Sequence, residues 1–399
     1  MKSHEVWERS FAFIEKELLP EMVHDRCFCE PNSREFVEFD SATIRLDELS
    51  RSSEIYRVTI VVRFSGEPRS FPLLLKLLPE EEAEHKSPTA FDAYQNEEMF
   101  YSKMTLKYGS DLVPKCYLSD LGRYGRPVIV LEDLEEAGYT QVDGELDEEH
   151  LKLCVQVLAK FHARGLRLRA TEPQVFREFE AKLLEISLTE ETMLMLDILE
   201  TMPNSGFVER IKHRLNKRPM EIVKAIATGV NDVSTICHGH FSHDNLLFKY
   251  QNGKPIDAKM IDWQTMRYCS PAVDLGPILL YNVTHENGPS EVQKILTLYI
   301  DTVRSEYPEV EIIMRRTPHL PFASVGWNKT NLKVETTAAS AYCTFRNFFV
   351  FPDNDGSKRN TGCCRKTSRI RCNDRYISSS FPNFLSFFHS IKLIATPHY

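Results

Sequence analysis

The stretch from Ile236 to Gly276, ICHGHFSHDNLLFKYQNGKPIDAKMIDWQTMRYCSPAVDLG, constrains this chain more than any other. It opens on a polar loop, His238-Gly239-His240-Phe241-Ser242-His243-Asp244-Asn245. An apolar run, Leu246 to Tyr250, precedes Gln251-Asn252-Gly253-Lys254-Pro255, and a second alternating run leads to Asp262. Asn-Gly between two such runs signals a tight hairpin, because both central residues of the favoured turn take positive φ. A turn there brings Asn245, before the first strand, back beside Asp262, after the second. Paired strands lie only ~4.8 Å apart, so a carboxamide and a carboxylate come within reach of one hard cation. Mg2+ suits such a pair, since it takes few protein oxygens and completes its shell with water and phosphate. Taken alone, two loop polars of this kind are ordinary, and the pattern around them has to decide.

A chain of 399 residues has room for two domains or for one enzyme with two lobes. With 42% apolar and 27% charged residues it can build a large core. No apolar run approaches the ~18 residues of a membrane helix. The N-terminus, MKSHEVWERSFAFIEKELLP, reads as an amphipathic helix with Trp7, Phe11, Ile14 and Leu18 on one face, not as a signal peptide. The expected location is cytoplasmic, with no membrane partner and a monomeric state. Ten scattered cysteines then read as reduced thiols, since neither Cys27-x-Cys29 nor Cys363-Cys364 has zinc-site spacing. The net charge of −8 hides an asymmetry, because residues 315–399 carry 13 Lys and Arg against 4 Asp and Glu. The remaining acidic body argues against nucleic acid as partner.

Residues 36–85 read as a small sheet. Val58 to Phe64 is β-branched and alternating, Ser65-Gly66-Glu67-Pro68 turns it, and Phe71 to Leu78 returns carrying Lys76. On that strand alone, Lys76 reads as a lysine on a wet face, because burial would require an anionic partner. Ser87-Pro88-Thr89 starts a helix that carries Glu97 and Glu98, and Val113-Pro114 breaks it. Val128 to Leu131 is a short buried strand ending in Glu132-Asp133-Leu134, a crossing point into a second lobe. From Leu146 the pattern turns helical, with Asp147 as cap, Glu148 and Glu149 in the first turn, and Gly165 as the expected end. His162 reads there as a structural residue, and residues 172–232 as further polar helices. Beyond about Arg315 the periodicity collapses, so residues 316–399 are expected to form a divergent basic tail of poor order.

Several segments fall in one order over about residues 50–310: LLLKLLP around Lys76, NEEMFY around Glu97, VIVLEDLEEAGY, LAKFHA, CHGHFSHDNLLFKY and KMIDWQTMRYCSPAVDLG. In this they resemble the ecdysteroid-kinase-like (CHK kinase-like) family, in the choline/aminoglycoside phosphotransferase branch of the protein-kinase-like fold. The resemblance implies an α+β, two-lobed architecture: a small antiparallel-sheet lobe (1–134), a mainly helical lobe (135–315), then the tail. It implies transfer of the ATP γ-phosphoryl group to an alcohol of a small hydroxylated substrate, an ecdysteroid or a detoxification substrate, by positioning and charge neutralisation. Lys76, paired by Glu97, would contact the ATP phosphates, and Leu131, Glu132 and Asp133 would belong to the hinge around adenine. Asn245 and Asp262 would hold Mg2+, and Asp274 would support the catalytic loop.

Two positions depart from the family pattern. His240 stands where the family has its catalytic Asp, so a neutral base with an unperturbed pKa near ~6.5 replaces a fixed charge. The phosphate-covering loop, Asp47 to Glu54, has no glycine, and Ser52 and Ser53 are its candidate donors. These departures leave a catalytically silent kinase-like binding protein as an alternative. A second alternative is a zinc hydrolase, because His238-x-His240 with His243-Asp244 resembles the HxHxDH element of metallo-β-lactamase-fold enzymes, with the last two residues reversed.

Overall fold

The computed structural model describes residues 4–47, 54–78, 88–142, 146–183, 233–271, 273–276, 278 and 288–310. Ser52, Ser53, residues 184–232 of the helical stretch expected over 172–232, and the basic tail lie outside these residues. The chain is α+β and divides into two compact units. Within the described residues one holds 4–140 with 259–264, and the other 141–258 with 265–310.

The first unit is built on a five-stranded antiparallel sheet in the order β1-β2-β3-β5-β4. Its strands are β1 (Val37–Leu46), β2 (Glu54–Phe64), β3 (Glu67–Leu77), β4 (Cys116–Asp120) and β5 (Val128–Glu132). Strict alternation along β2 sends Tyr56, Val58, Ile60, Val62 and Phe64 into one core with Leu73, Leu75 and Leu77 of β3. The N-terminal helix covers that core in three pieces, α1 (His4–Phe13), a π-helical turn (Ile14–Leu18) and α2 (Leu19–His24). Ile14 and Leu18 are fully buried, Phe11 stands edge-on to Tyr56, and Trp7 is 38% exposed. A buried cluster ties helix to sheet: Arg126 donates to Ser10 Oγ (2.9 Å), Glu54 Oε2 (3.2 Å) and the Leu78 carbonyl (2.8 Å).

Register places Ile55, Lys76 and Ile129 in one row across the sheet, on the face opposite the core. Lys76 is nevertheless only 8% exposed. The wet-face reading of this lysine is therefore corrected. Both faces of β3 are covered at its C-terminal half, and the cover over Lys76 includes α3 (Pro88–Met99). After α3, a π-helical turn (Phe100–Met104) and α4 (Thr105–Tyr108) continue to Gly109, whose φ of 83° stops the helix before Val113-Pro114.

The second unit is mainly helical, with α5 (Glu148–Thr171), α6 (Pro173–Glu180) and α7 (Gly288–Glu306). Asp147 caps α5 as expected, accepting the His150 amide at 3.0 Å. Gly165 does not end the helix. It is buried mid-helix, and α5 runs on until Pro173 forces Glu172 out of helical geometry. The extra turn has a tertiary reason, because Arg169 donates to the Ser234 carbonyl (2.5 Å) and to Tyr268 Oη (3.0 Å). The short strands β7 (Thr235–Cys237) and β10 (Arg267–Cys269) pair antiparallel. A two-residue strand β6 (Tyr139–Thr140) precedes them in the chain. Between β7 and β10, β8 (Leu246–Gln251) and β9 (Lys254–Met260) form the expected hairpin, with Asn252 at φ 52° and Gly253 at φ 75°.

Candidate active site

Each unit holds one constellation of its own. In the first, Lys76 Nζ donates to Glu97 Oε2 at 2.5 Å and lies 3.6 Å from Asp262 Oδ1. Burial works to lower the Lys76 pKa, but the Glu97 carboxylate, with Asp262 behind it, outweighs burial and holds the ammonium above its ordinary value. Burial pushes the Glu97 pKa up, and the Asp262 charge adds to that against the opposing pull of Lys76. One ammonium thus serves two carboxylates, which leaves the group an excess of negative charge to share with a cation.

The segment holding Asp262 is anchored within this unit. The Met260 amide donates to the Leu112 carbonyl (2.9 Å), and Lys259 Nζ reaches the Asp111 and Val113 carbonyls (3.2 and 3.1 Å). Trp263 stacks on Phe100 with ring centroids 3.7 Å apart, and Asn96 Nδ2 donates to the Gln264 carbonyl at 3.0 Å. Between these anchors Asp262 takes φ 65°, a conformation that costs a non-glycine residue about 1–3 kcal/mol. Its Oδ1 is buried without a hydrogen-bond partner. A strained residue whose carboxylate oxygen makes no hydrogen bond and meets the Lys76 ammonium only at 3.6 Å fits a hard-cation ligand.

The hinge candidates lie where β5 ends. Leu131 is buried, and the Glu132 carboxylate accepts the Lys115 amide at 3.2 Å. Asp133 is held by Arg57, whose Nη1 meets Oδ1 and Oδ2 at 2.8 and 2.9 Å. Arg57 also binds Glu135 (2.6 Å) and Asp47 (3.1 Å). Sequence reasoning passed over Arg57, whose partners lie as far as 78 residues away.

In the second unit the loop after β7 is organised by Asp274, a fully buried carboxylate. Its Oδ2 accepts the His238 amide (2.7 Å) and His162 Nε2 (3.0 Å), and its Oδ1 accepts the Gly239 amide (2.8 Å). Burial alone would raise the Asp274 pKa, but its hydrogen bonds, that from His162 foremost, outweigh it and hold the carboxyl below its ordinary range. His162 Nδ1 lies 2.8 Å from Tyr299 Oη, so α7 and α5 jointly brace the loop through one imidazole. The structural reading of His162 is thereby sharpened, since its partner is the carboxylate that shapes the loop. Gly239 has no substitute here, because at φ 85° an added Cβ would lie 1.9 Å from the Thr265 carbonyl oxygen.

Beyond this brace the loop presents His240, partly buried, and Asn245, 7% exposed in the 3₁₀ turn His243–Asn245. Asn245 Nδ2 donates to the His240 carbonyl at 2.9 Å and faces His240 Nδ1 at 3.4 Å. The carboxamide nitrogen thus serves the loop, and Oδ1 is the atom suited to a cation. The zinc alternative is corrected. His238, His240 and His243 do not converge as ligands: His238 Nδ1 faces the His240 amide at 3.4 Å, and His243 Nε2 lies 3.2 Å from Asp244. Among the described residues the group that does converge is His162, Cys237 and Asp274. All three are fully buried, Asp274 is saturated by N–H donors, and burial pushes the Cys237 thiol well up, so the cluster is internal bracing.

No helix among the described residues is long and apolar enough to cross a membrane. No curated protein matches the chain in sequence. Among solved structures, the GDP complex of an aminoglycoside 2'-phosphotransferase-IIIa aligns at 12% identity over 89% of this chain and 94% of its own, with a TM-score of 0.41. The choline kinase LicA from Streptococcus pneumoniae aligns at 16% identity over 77% of this chain and 94% of its own, with a TM-score of 0.33. A choline/ethanolamine kinase family protein from Mesorhizobium loti aligns at 14% identity over 75% and 92%, with a TM-score of 0.32. The family model that matches, over residues 51–310, is that of the ecdysteroid kinase-like family, and the chain belongs to that family.

Proposed function

We propose that the chain is an ATP-dependent phosphotransferase that delivers the γ-phosphoryl group to the hydroxyl of a small molecule. The observation that carries this reading is the Lys76–Glu97–Asp262 group, in which a buried ammonium is held charged by two carboxylates and one oxygen of Asp262 has no hydrogen-bond partner. Membership of the ecdysteroid kinase-like family supports it. In this reading Lys76 neutralises charge on the nucleotide phosphates, Glu97 fixes its direction, and the segment Leu131 to Leu134 contacts the base. Asp133 acts there through backbone and position, because its carboxylate belongs to Arg57. Asn245 and Asp262 are the proposed oxygen ligands for Mg2+, which when bound would supply positive charge against the transferring phosphoryl group.

His240 is the proposed general base, taking the acceptor hydroxyl proton on a ring nitrogen. Asn245, hydrogen-bonded to the His240 carbonyl, sets the position of that imidazole, and Asp274 holds the turn before it. Placing is the chief contribution of these residues, since phosphoryl transfer needs alignment and charge stabilisation more than covalent chemistry. The test is ATP-dependent phosphorylation across steroid, phenolic and amino-alcohol acceptors, with product detected by mass. Loss of product in Asp262→Ala is the expected outcome, and unchanged turnover in that variant would refute the metal role.

One observation favours a second reading, a kinase-like protein that binds nucleotide without turnover. His240 brings no fixed negative charge to the position where the family has a carboxylate. Nucleotide binding without any product, together with product formation by His240→Asp, would establish that reading.

A further inference from the structure

We propose that Tyr250 is a nucleophilic tyrosine, a site of covalent modification by phosphoryl or sulfonyl electrophiles, activated by a relay of His150 and Asp147. The three side chains come from the N-terminus of α5 and the end of β8, and none has a role in the phosphotransfer reading above. Tyr250 is 37% exposed, whereas His150 is 8% exposed. His150 Nε2 lies 2.7 Å from Tyr250 Oη, and its Nδ1 lies 2.6 Å from Asp147 Oδ1. The imidazole is held edge-on to the Phe248 ring, with centroids 4.9 Å apart, so its orientation is set by packing as well.

The tautomer follows from the partners. An ionised carboxylate only accepts hydrogen bonds, and Asp147 is kept ionised because the His150 amide and then its ring hold the carboxyl below its ordinary range. Nδ1 must therefore carry the proton it gives to Asp147. In the neutral ring Nε2 then bears the lone pair, so the Tyr250 hydroxyl donates to it. A nucleophile bonded to a base that is itself oriented by a carboxylate is the arrangement that activates hydroxyl side chains. This differs from Tyr268, whose hydroxyl accepts from Arg169, and from Tyr124, whose hydroxyl donates directly to the Asp25 carboxylate.

The step balances without further reactants. Tyr250 Oη attacks the sulfur of an aryl sulfonyl fluoride, the O–S bond forms as the S–F bond breaks, and fluoride leaves with its electron pair. The hydroxyl proton passes to His150 Nε2, and Asp147 stabilises the imidazolium until solvent takes the proton. With a phosphoryl donor the new bond is O–P and the donor's leaving group departs in the place of fluoride.

The test labels the full chain with an aryl sulfonyl fluoride and follows the adduct on the Tyr250 peptide over time by mass spectrometry. Two variants isolate the relay: Asp147→Asn, which keeps a helix cap of equal quality, and His150→Gln, which removes the base. The relay predicts that Tyr250 labels in the parent protein, about 10-fold more slowly in Asp147→Asn, and about 100-fold more slowly in His150→Gln, the usual scale for losing a general base. Adducts on other tyrosines should not change. No Tyr250 adduct in the parent protein, or equal rates in the parent and Asp147→Asn, would overturn the proposal even if His150→Gln failed to fold.

Discussion

Replacing Asp274 with Asn tests how the loop carrying His240 is held. The carboxylate accepts three N–H groups, two on Oδ2 and one on Oδ1. An amide retains only one acceptor oxygen. Its best orientation keeps that oxygen toward His238 and His162, which leaves the amide nitrogen facing the Gly239 N–H, donor against donor. A hydrogen bond to a charged group contributes about 1.5–3 kcal/mol, and the two that survive weaken when the charge goes. Relief from burying a charge offsets part of this, so the net loss should be about 3 kcal/mol, near the lower end for breaking a buried ionic network. That corresponds to a fall in Tm of roughly 6–12 °C by the scaling for domains of comparable size. The sign of the pH dependence follows from the lowered Asp274 pKa. Its stabilisation is fully present above the unfolded carboxylate value of ~3.9 and is lost as pH falls through the folded one. Thermal melts of parent and Asp274→Asn across acid pH should therefore converge below about pH 4, where the parent loses what the variant never had. Asp301→Asn, at a carboxylate 64% exposed on α7, serves as the surface control. A variant as stable as the parent, or a gap that widens in acid, would refute the account of Asp274.

Further outcomes follow from the geometry. Glu97→Gln leaves Lys76 buried with only the more distant Asp262, and should cost about 3–5 kcal/mol in denaturant unfolding. The double variant with Lys76→Met should be less destabilised than the sum of the two single variants, and strict additivity would contradict a coupled pair. Gly239→Ala should abolish the native loop, seen as lost phosphotransfer together with a large fall in Tm, because its Cβ would overlap the Thr265 carbonyl. Gly253→Ala, at φ 75° with nothing within 4 Å, should cost only the backbone term of about 1–2 kcal/mol. Equal effects at the two glycines would show that the Thr265 contact is not what requires Gly239.

What could be read from the chain depended on how local the cause was. The Asn252-Gly253 turn and the Asp147 cap are set by two to four neighbouring residues, and both stand where the pattern puts them. The core-facing alternation of β2 is likewise local. The end of α5 was misplaced because Gly165 is a helix breaker only by propensity, while Arg169 gains partners 65 and 99 residues away. Lys76 looked wet because one strand cannot reveal what covers its second face, and its partner arrives from α3, 21 residues on. Arg57 carried no signal at all, since nothing in an alternating strand distinguishes an arginine in solvent from one that gathers Asp47, Asp133 and Glu135. The π-helical turns at Ile14–Leu18 and Phe100–Met104 leave no recognisable periodicity over five residues. In the candidate site, family resemblance singled out Lys76, Glu97 and Asp274 and paired the first two, whereas the hydrogen-bond partners of Asp274 needed the fold.

The most direct test of the central claim is ATP-dependent phosphorylation of small hydroxylated acceptors as a function of pH, run on the parent protein and on His240→Asp. The account predicts a phosphorylated product whose rate in the parent falls on acidification as the general base takes up a proton, with the fall moved to lower pH by the carboxylate of His240→Asp. No product from the parent with any acceptor, despite a folded chain, would contradict it, whether or not His240→Asp forms one.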